Sequence, residues 1–193
     1  GLNSLFKIVD PIILGLPKKS NKVLKPNNHF SIIVFDVPTF KEDFIKTQGI
    51  ISYYYNSENM IGFIKDIIDV CSDLTNTLGI DIKIKLKNKR KNHKLYDQAH
   101  IKKILKLSSE NNNFNLISHD SNIYSLLNDS SCSISIPYTS TASISASLGI
   151  PAIYYDPTNS LLKPKYSESN IEYIYKKSVL KSTLKRCLTN KFS

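Results

Sequence analysis

Tryptophan is absent from this sequence of 193 residues, glycine occurs only 6 times, and only two of the 26 cationic residues are arginine. The 3 cysteines lie far apart without a C-x-x-C pair, which argues against a disulfide framework and against a zinc site. No apolar run approaches the roughly 18 residues of a membrane-spanning helix, and the first residues do not resemble a signal peptide. We therefore expect a protein of a reducing compartment, the cytoplasm.

Hydrophobic residues make up 41% of the chain and charged residues 22%, values that exclude a disordered or collagen-like protein. The length is that of one domain or slightly more. The chain begins with glycine rather than methionine, from which we expect a fragment whose N-terminal partner domain is missing. The predicted organisation is an interdomain strand and linker over 1–30, the main domain over 31–175 and a basic helix over 176–193.

What the chain has in excess is positive charge, because 26 Lys and Arg against 16 Asp and Glu give a formal net charge of +10. Such an excess raises nucleic acid or an anionic membrane surface as partners. The scarcity of arginine argues against nucleic acid, because the planar guanidinium is the favoured group for contacts to phosphates and base edges. The C-terminal helix either meets anionic lipid or packs on the missing N-terminal half. Its basic residues are Lys176, Lys177, Lys181, Lys185 and Arg186.

Hydrophobic periodicity predicts strands and helices in alternation. The clearest helix spans Ser57 to Leu78, with Ser57 as its cap and Gly79 as its stop. The alternation predicts an α/β fold, a Rossmann-like three-layer parallel sheet with helices on both faces. The other predicted elements are strands at Phe6–Leu16, Ser31–Val37, Ile80–Leu86, Phe114–Ile117, Ser133–Ile136 and Ala152–Tyr155, and helices at Tyr96–Ser108, Ile123–Leu127, Ser140–Leu148 and Lys176–Leu188.

In an open parallel sheet, ligands bind beyond the carboxyl ends of the strands. The densest polar group at such an end is Thr139, Ser140 and Thr141, which follow a predicted strand and open a predicted helix. Because small side chains leave the amides of the first helical turn accessible, this turn is suited to a phosphate. The alternative is ordinary helix capping, for which serine and threonine are common residues.

A second strand end is cationic and carries Lys85, Lys87, Lys89 and Arg90. These cations are suited to neutralising a diphosphate or a sugar carboxylate. The alternative is a solvated surface, which is what most lysine-rich loops are.

Four further donor-site candidates lie at strand ends, namely Asp36, His119, Tyr138 and Asp156. Asp156 either accepts hydrogen bonds from ligand hydroxyls or orders its own loop, since Asp-Pro commonly begins turns. His119 is alternatively an exposed loop histidine. The 4 histidines have no metal-binding spacing, so we predict no metal site. The chain also has no G-x-G-x-x-G, P-loop or G-x-S-x-G motif.

From about Ser31 to Asp156, these segments resemble in order the C-terminal, donor-binding half of GT-B glycosyltransferases. An upstream segment, Ile8–Ile12, looks like the interdomain segment written V-G-P-I in that fold. The segments that carry the resemblance are the basic strand end Ile84–Lys87, the helix and turn Asn122–Ser131, the strand Ser133–Ile136, the turn Thr139–Ala142, and Leu148–Asp156 with its G-x-P-x-x-x-x-D pattern.

Within that superfamily the chain looks most like bacterial transferases of lipopolysaccharide or capsule that use CMP-activated acidic sugars such as Kdo or sialic acid. The resemblance implies that domain 31–175 binds a nucleotide-sugar donor and that no cofactor or metal is required. It implies a cytoplasmic protein, and contact with the inner face of the cell membrane is one of the two roles open to the basic C-terminal helix. The nucleotide phosphate and base would be held by the basic strand end and the hydroxyl turn. The acceptor site and the catalytic base would lie on the missing half, so no catalytic residue is assigned.

One departure from the GT-B pattern concerns the donor base. The glutamate that clasps a ribose in many such sites would fall within Ser143–Ser147, where the sequence has no acid, which argues against a UDP-sugar. Two alternatives stay open. A nucleotide-sugar epimerase-like GT-B domain would show more acidic and histidine residues, and a basic nucleic-acid-binding module would bind in a strongly salt-dependent way.

Overall fold

The structure, a computed structural model, describes residues 29–47, 53–87, 94–118, 120–161 and 170–189. The strands of this part are β1 (His29–Phe35), β2 (Asp81–Lys87), β3 (Phe114–Ile117), β4 (Cys132–Ser135), β5 (Ala152–Tyr155) and β6 (Ile171–Ile174). Its helices are α1 (Glu42–Thr47), α2 (Ser57–Leu78), α3 (Gln98–Glu110), α4 (Ile123–Asn128), α5 (Ser140–Ser147) and α6 (Lys177–Thr189), with a 3₁₀ turn at Tyr53–Tyr55. The strand predicted at Phe6–Leu16 lies outside the described residues.

All the strands of the described part pair in parallel in one sheet, in the order β3-β2-β1-β4-β5-β6. The described part of the chain begins at the centre of the sheet with β1, continues through β2 and β3 on one side, and returns to the other side of β1 for β4 to β6. Parallel neighbours need a crossover, and the helices that follow β1 to β4 provide it. The prediction of a Rossmann-like parallel sheet is confirmed.

Helices cover both faces of the sheet, as predicted. On one face, α2, α3 and α6 pack on a large apolar cluster that includes Ile32 and Val34 of β1. On the other face, α4 and α5 pack against Ile33 and Phe35. Ile32, Ile33 and Val34 are 0%, 0% and 1% exposed, so the central strand is buried on both faces.

Helix α2 has the predicted bounds but not the predicted cap. The N-cap is Asn56 rather than Ser57, because Asn56 has an extended backbone and its Oδ1 accepts a hydrogen bond from the Asn59 N–H at 2.8 Å. Ser57 is the first helical residue, and its hydroxyl lies 3.2 Å from Nδ1 of His100 instead. Gly79 ends the helix as predicted, with the left-handed φ of 66° that glycine adopts without strain.

Helix α3 begins two residues later than the helix predicted from Tyr96. Asp97 caps it, since its Oδ1 accepts a hydrogen bond from the Ala99 N–H at 2.9 Å. Tyr96 instead forms an antiparallel bridge with Phe40. The bounds of the other predicted elements agree with the structure within a residue or two.

Helix α1, the 3₁₀ turn and strand β6 were not predicted. Strand β6 pairs with β5 at one edge of the sheet, and only Ile174 of its residues is buried. A strand with a single buried residue has little hydrophobic periodicity, which explains why the sequence did not indicate it. Among the helices of the described part, none is long and apolar enough to cross a bilayer.

Candidate functional site

The strand order reverses between β1 and β4, which are neighbours at the centre of the sheet. The chain leaves β1 toward β2 and leaves β4 toward β5, so the two connections diverge and open a crevice at the carboxyl edge. Phe35 and Ser135 stand side by side in the register, so Asp36 and Ile136 leave the sheet from neighbouring positions. Open α/β sheets bind their ligands in such a crevice.

The turn after β4 carries a chain of hydroxyl groups. Thr139 Oγ1 donates a hydrogen bond to the Ile136 carbonyl at 2.8 Å and lies 3.1 Å from Thr141 Oγ1. Thr141 Oγ1 is in turn 3.0 Å from Ser135 Oγ in the strand. These contacts order the turn against β4.

Helix α5 opens at this turn, and Thr139 is its N-cap residue by backbone conformation, with φ −93° and ψ 139°. The Thr139 side chain nevertheless accepts no capping hydrogen bond from the helix; its hydroxyl instead contacts the Ile136 carbonyl and the Thr141 hydroxyl. The first N–H groups of a helix have no partner within the helix and form the positive end of its dipole. Helix capping, the alternative raised from the sequence, therefore does not describe the hydroxyl of Thr139.

Tyr138 lies in the middle of the turn and has a left-handed backbone with φ 64°. This conformation costs a residue with a side chain about 1–2 kcal/mol and is rare for bulky residues. Tyr138 is 53% exposed, and its ring centroid lies 6.3 Å from that of Tyr154. The Tyr154 hydroxyl donates to the Thr139 carbonyl at 3.0 Å and ties the turn to β5.

A narrow cleft opens beside the end of β1, between the loop that follows this strand and α3. Asp36, Thr39, Tyr96 and His100 are among its lining residues, and its space of about 20 Å³ holds about one water molecule. Thr39 Oγ1 and His100 Nε2 are buried, and neither has a hydrogen-bond partner among the described residues. Burial lowers the pKa of His100 against the opposing effect of the Asp97 carboxylate, so the ring is neutral at neutral pH.

Sequence reasoning missed Thr39 and His100. Neither belongs to a recognisable motif, because His100 has no metal-binding spacing and Thr39 merely follows the proline that ends the predicted strand Ser31–Val37. One signal was available in α3, where His100 lies four residues before Ile104, and both are buried on the same helix face. A histidine on the apolar face of a helix needs a polar partner inside the fold. The spacing of His100 and Ile104 therefore indicated a buried polar group at this position.

Lys85 and Lys87 lie on the face of β2 opposite to its buried apolar residues. Lys87 is the last residue of the strand, and its Nζ donates to the Ser121 carbonyl at 2.7 Å, so it tethers the loop after β3. Lys85 stands beside Ile33 in the register, further from the carboxyl edge. The other candidates, Lys89, Arg90 and His119, lie outside the described residues.

Asp156 follows β5 and is 0% exposed. Its Oδ1 accepts hydrogen bonds from the Tyr54 hydroxyl at 3.0 Å and from the N–H and hydroxyl of Thr158 at 3.1 and 2.8 Å. Its Oδ2 accepts from the Leu161 N–H at 2.9 Å and from the Tyr173 hydroxyl at 3.5 Å. Burial opposes ionisation, but these hydrogen bonds outweigh it and lower the pKa of Asp156. Of the two roles considered from the sequence, the contacts support the ordering of its own loop.

The structure thus brings Asp36 and the turn 137–141 together at the central crevice, with Lys87 one strand away on the β2 side. Asp156 lies one strand away on the other side and is surrounded by donors from its own fold. Within the residues that the structure describes, no three His, Cys, Asp or Glu side chains are grouped so as to hold a metal ion.

A family model described as Polysaccharide biosynthesis PFTS motif protein matches residues 2–184 of the chain. A search of curated proteins found no match. The motif letters in that description differ from Pro137-Tyr138-Thr139-Ser140 at one position, where they have phenylalanine and this chain has tyrosine. These residues form the turn between β4 and α5 at the central crevice.

Proposed function

The chain belongs to the family of polysaccharide biosynthesis PFTS motif proteins. From that membership we propose that it binds a nucleotide-activated sugar, and that this sugar is then transferred to a growing cell-surface glycan. In this proposal the chain is the donor-binding half of a GT-B glycosyltransferase, and a CMP-activated sugar is the favoured donor. The family supports a role in polysaccharide biosynthesis. The parallel sheet supports the donor site, because such sheets bind nucleotides at their carboxyl edge.

The observation that carries the proposal is the position of the turn Pro137–Ser140. It lies at the point where the strand order reverses, it opens α5, and its sequence differs from the PFTS letters only in the aromatic residue. An anionic phosphate is stabilised at such a place by the N–H groups and the dipole of the helix. The Thr139 side chain does not compete for these amides.

The phosphate of the nucleotide is the leaving group in the proposed reaction, and its negative charge grows as the bond to the sugar breaks. Fixed N–H groups at the start of α5 stabilise this charge without having to reorganise. The hydroxyl of Ser140 adds a donor at the same turn, and the hydroxyl of Thr141 holds the turn against Ser135. In the proposal, further stabilisation comes from the cations of the β2 strand end, Lys85, Lys87, Lys89 and Arg90.

We place the acceptor site and the catalytic base on a separate N-terminal half, so we expect this chain alone to bind a nucleotide and to transfer nothing. A cytoplasmic position at the inner membrane face would use the basic helix α6. Part of its charge is neutralised, because Lys177 forms ion pairs with Asp66 and Asp69 at 2.9 and 2.7 Å, and Lys181 pairs with Asp73. Two further lysines are not part of these ion pairs, Lys176 directly before α6 and Lys185 within it. We propose these two for lipid contact.

Calorimetric titration of CMP, UDP and GDP into the chain tests the proposal. We compare the wild type with Ser140→Ala and with Ser147→Ala, since both serines are exposed and lie at opposite ends of α5. We expect CMP to bind, Ser140→Ala to weaken it by about tenfold because one hydrogen bond to a charged group is lost, and Ser147→Ala to leave it unchanged.

Two results would contradict the proposal. The first is that none of the three nucleotides binds at millimolar concentration. The second is that a short oligonucleotide binds with steep salt dependence while the mononucleotides do not, which is the behaviour of a nucleic-acid-binding module.

A further inference from the structure

Tyr138 has two unfavourable features, a left-handed backbone and an exposed aromatic side chain. Its backbone is left-handed with φ 64°, and its ring is 53% exposed at the crevice instead of buried. Bulky residues persist in that conformation only where the surrounding structure imposes it, and such residues cluster at ligand-binding sites. Neither feature stabilises the folded chain, so the placement of the ring points to a ligand.

We propose that the exposed ring of Tyr138 is a stacking subsite for the nucleobase of the donor. The inference rests on the proposed function, because it needs a nucleotide whose phosphate lies at the start of α5. Tyr138 directly precedes the cap residue Thr139, so the ring and the first-turn amides belong to one turn. A nucleotide carries both an anion and a flat aromatic base, and it can therefore engage both parts of this turn.

Phenylalanine is the second letter of PFTS in the family description, and Pro137-Tyr138-Thr139-Ser140 has tyrosine in that place. We take this turn as the counterpart of those letters, so the group that the two share is the aromatic ring and not the hydroxyl. Stacking on a base needs only the face of that ring, whereas a hydrogen bond would need the hydroxyl. The comparison therefore favours a ligand with a flat aromatic surface.

A second aromatic residue supports the ring. Tyr154 is 6% exposed, and its ring centroid lies 6.3 Å from that of Tyr138 with the planes inclined by 38°. Because the Tyr154 hydroxyl donates to the Thr139 carbonyl at 3.0 Å, this support is fixed to the same turn that would hold the phosphate. A base that stacks on Tyr138 thus meets a preordered surface, which reduces the entropy lost on binding.

Stacking on tyrosine discriminates weakly between bases, because every base has a π face. Tyr138 accordingly sets the affinity for nucleotides as a class. The choice among CMP, UDP and GDP is made by other contacts.

Calorimetry with two ligands tests this subsite, CMP with its base and ribose 5-phosphate without one. The variants are Tyr138→Leu, Tyr138→Phe and Tyr138→Asn, and Leu105→Ala is the control because Leu105 is 52% exposed on α3. We expect Tyr138→Leu and Tyr138→Asn to weaken CMP by about tenfold or more and to leave ribose 5-phosphate unchanged. Tyr138→Phe keeps the ring and retains CMP binding near the wild-type level.

Tyr138→Asn also separates binding from folding, since asparagine accepts a left-handed backbone more readily than tyrosine. Its melting temperature is expected to equal or exceed that of the wild type although CMP binding is lost. A variant that unfolds would lose both ligands together.

The outcomes distinguish the two proposals. If the wild type binds ribose 5-phosphate and CMP but Tyr138→Leu binds CMP as tightly as the wild type, the subsite is refuted and the proposed function stands. If the wild type binds no nucleotide, the proposed function itself fails. Equal weakening of both ligands would show that Tyr138 only supports the turn, and this result overturns the nucleobase subsite.

Discussion

The turn Pro137–Ser140 and the carboxylate of Asp156 follow neighbouring strands, β4 and β5, and both are candidates for a ligand site on sequence grounds. Their hydrogen-bonding groups are used in opposite ways. Asp156 is buried and accepts hydrogen bonds from the backbone and side chains of its own fold. The turn exposes the strained Tyr138, and its cap residue leaves the first amides of α5 uncapped by its side chain. A polar strand end therefore indicates a ligand site only where folding leaves its groups unused.

Of the variants that test this comparison, Asp156→Asn is expected to change the free energy of unfolding most. The amide nitrogen of asparagine cannot accept a hydrogen bond, so donors such as the Leu161 N–H lose their buried partner. We expect the free energy of unfolding to fall by about 3 kcal/mol, as urea denaturation would measure. Nucleotide binding by the remaining folded protein should persist. Unchanged stability would show that the Asp156 carboxylate does not stabilise the fold and would make it, like the turn, a candidate for ligand binding.

We also expect Asp156→Asn to change the pH dependence of stability. The folded state lowers the pKa of Asp156 below the ordinary value of 3.8, so folding favours the ionised carboxylate. Its contribution is present above the unfolded-state pKa and is lost as the pH falls through the folded-state pKa. The stability difference between wild type and Asp156→Asn should therefore shrink between about pH 5 and about pH 2. A difference that stays constant over that range would exclude the ionised carboxylate as its source.

Tyr54→Phe should have an intermediate effect, because it removes one donor to Asp156 and keeps the ring. The Tyr54 hydroxyl donates at 3.0 Å and its residue is 6% exposed. We expect a loss of about 1.5 kcal/mol in the free energy of unfolding. The matched control is Tyr55→Phe, since Tyr55 packs edge-on against Tyr54 with ring centroids 5.2 Å apart. Equal losses in the two variants would show that the hydroxyl bond to Asp156 is not what stabilises this region.

Thr39→Val should have the smallest effect and extends the comparison to the end of β1. The buried Thr39 hydroxyl has no partner among the described residues, so an apolar group of the same shape should leave stability unchanged or raise it by up to about 1 kcal/mol. Thr183→Val is the control, because Thr183 is also buried but its hydroxyl lies 3.4 Å from Glu172 Oε2. A thermal melt in which Thr39→Val loses as much stability as Thr183→Val would show that the Thr39 hydroxyl does stabilise the fold.

Most of the fold was predictable because buried residues recur along the chain with the period of a helix or a strand. Helix α2 shows this clearly, since its apolar residues recur at helical spacing and its bounds agree with the prediction. Strand β6 was not predictable, because only Ile174 of its residues is buried and its place depends on pairing with β5. The cap of α2 was assigned to Ser57 and belongs to Asn56, a difference that depends on the backbone angles of one residue.

The candidate site was predictable in part. Thr139, Ser140 and Thr141 were placed correctly at a strand-to-helix turn, because small hydroxyl residues between a strand and a helix are a local pattern. The sequence did not indicate that Tyr138 adopts a left-handed backbone. It also did not indicate that His100 and Thr39 meet at one cleft, since they lie on different elements of the fold.

By itself the sequence determined the alternation of strands and helices, the parallel sheet that follows from it, and the strand ends at which polar groups gather. These properties repeat every two or about 3.6 residues and can be read along the chain. Only the tertiary structure decided which of those polar groups are satisfied. One of the hydroxyls that bind Asp156 comes from Tyr54, 102 residues earlier in the chain, and partners brought together over such a distance have no local pattern.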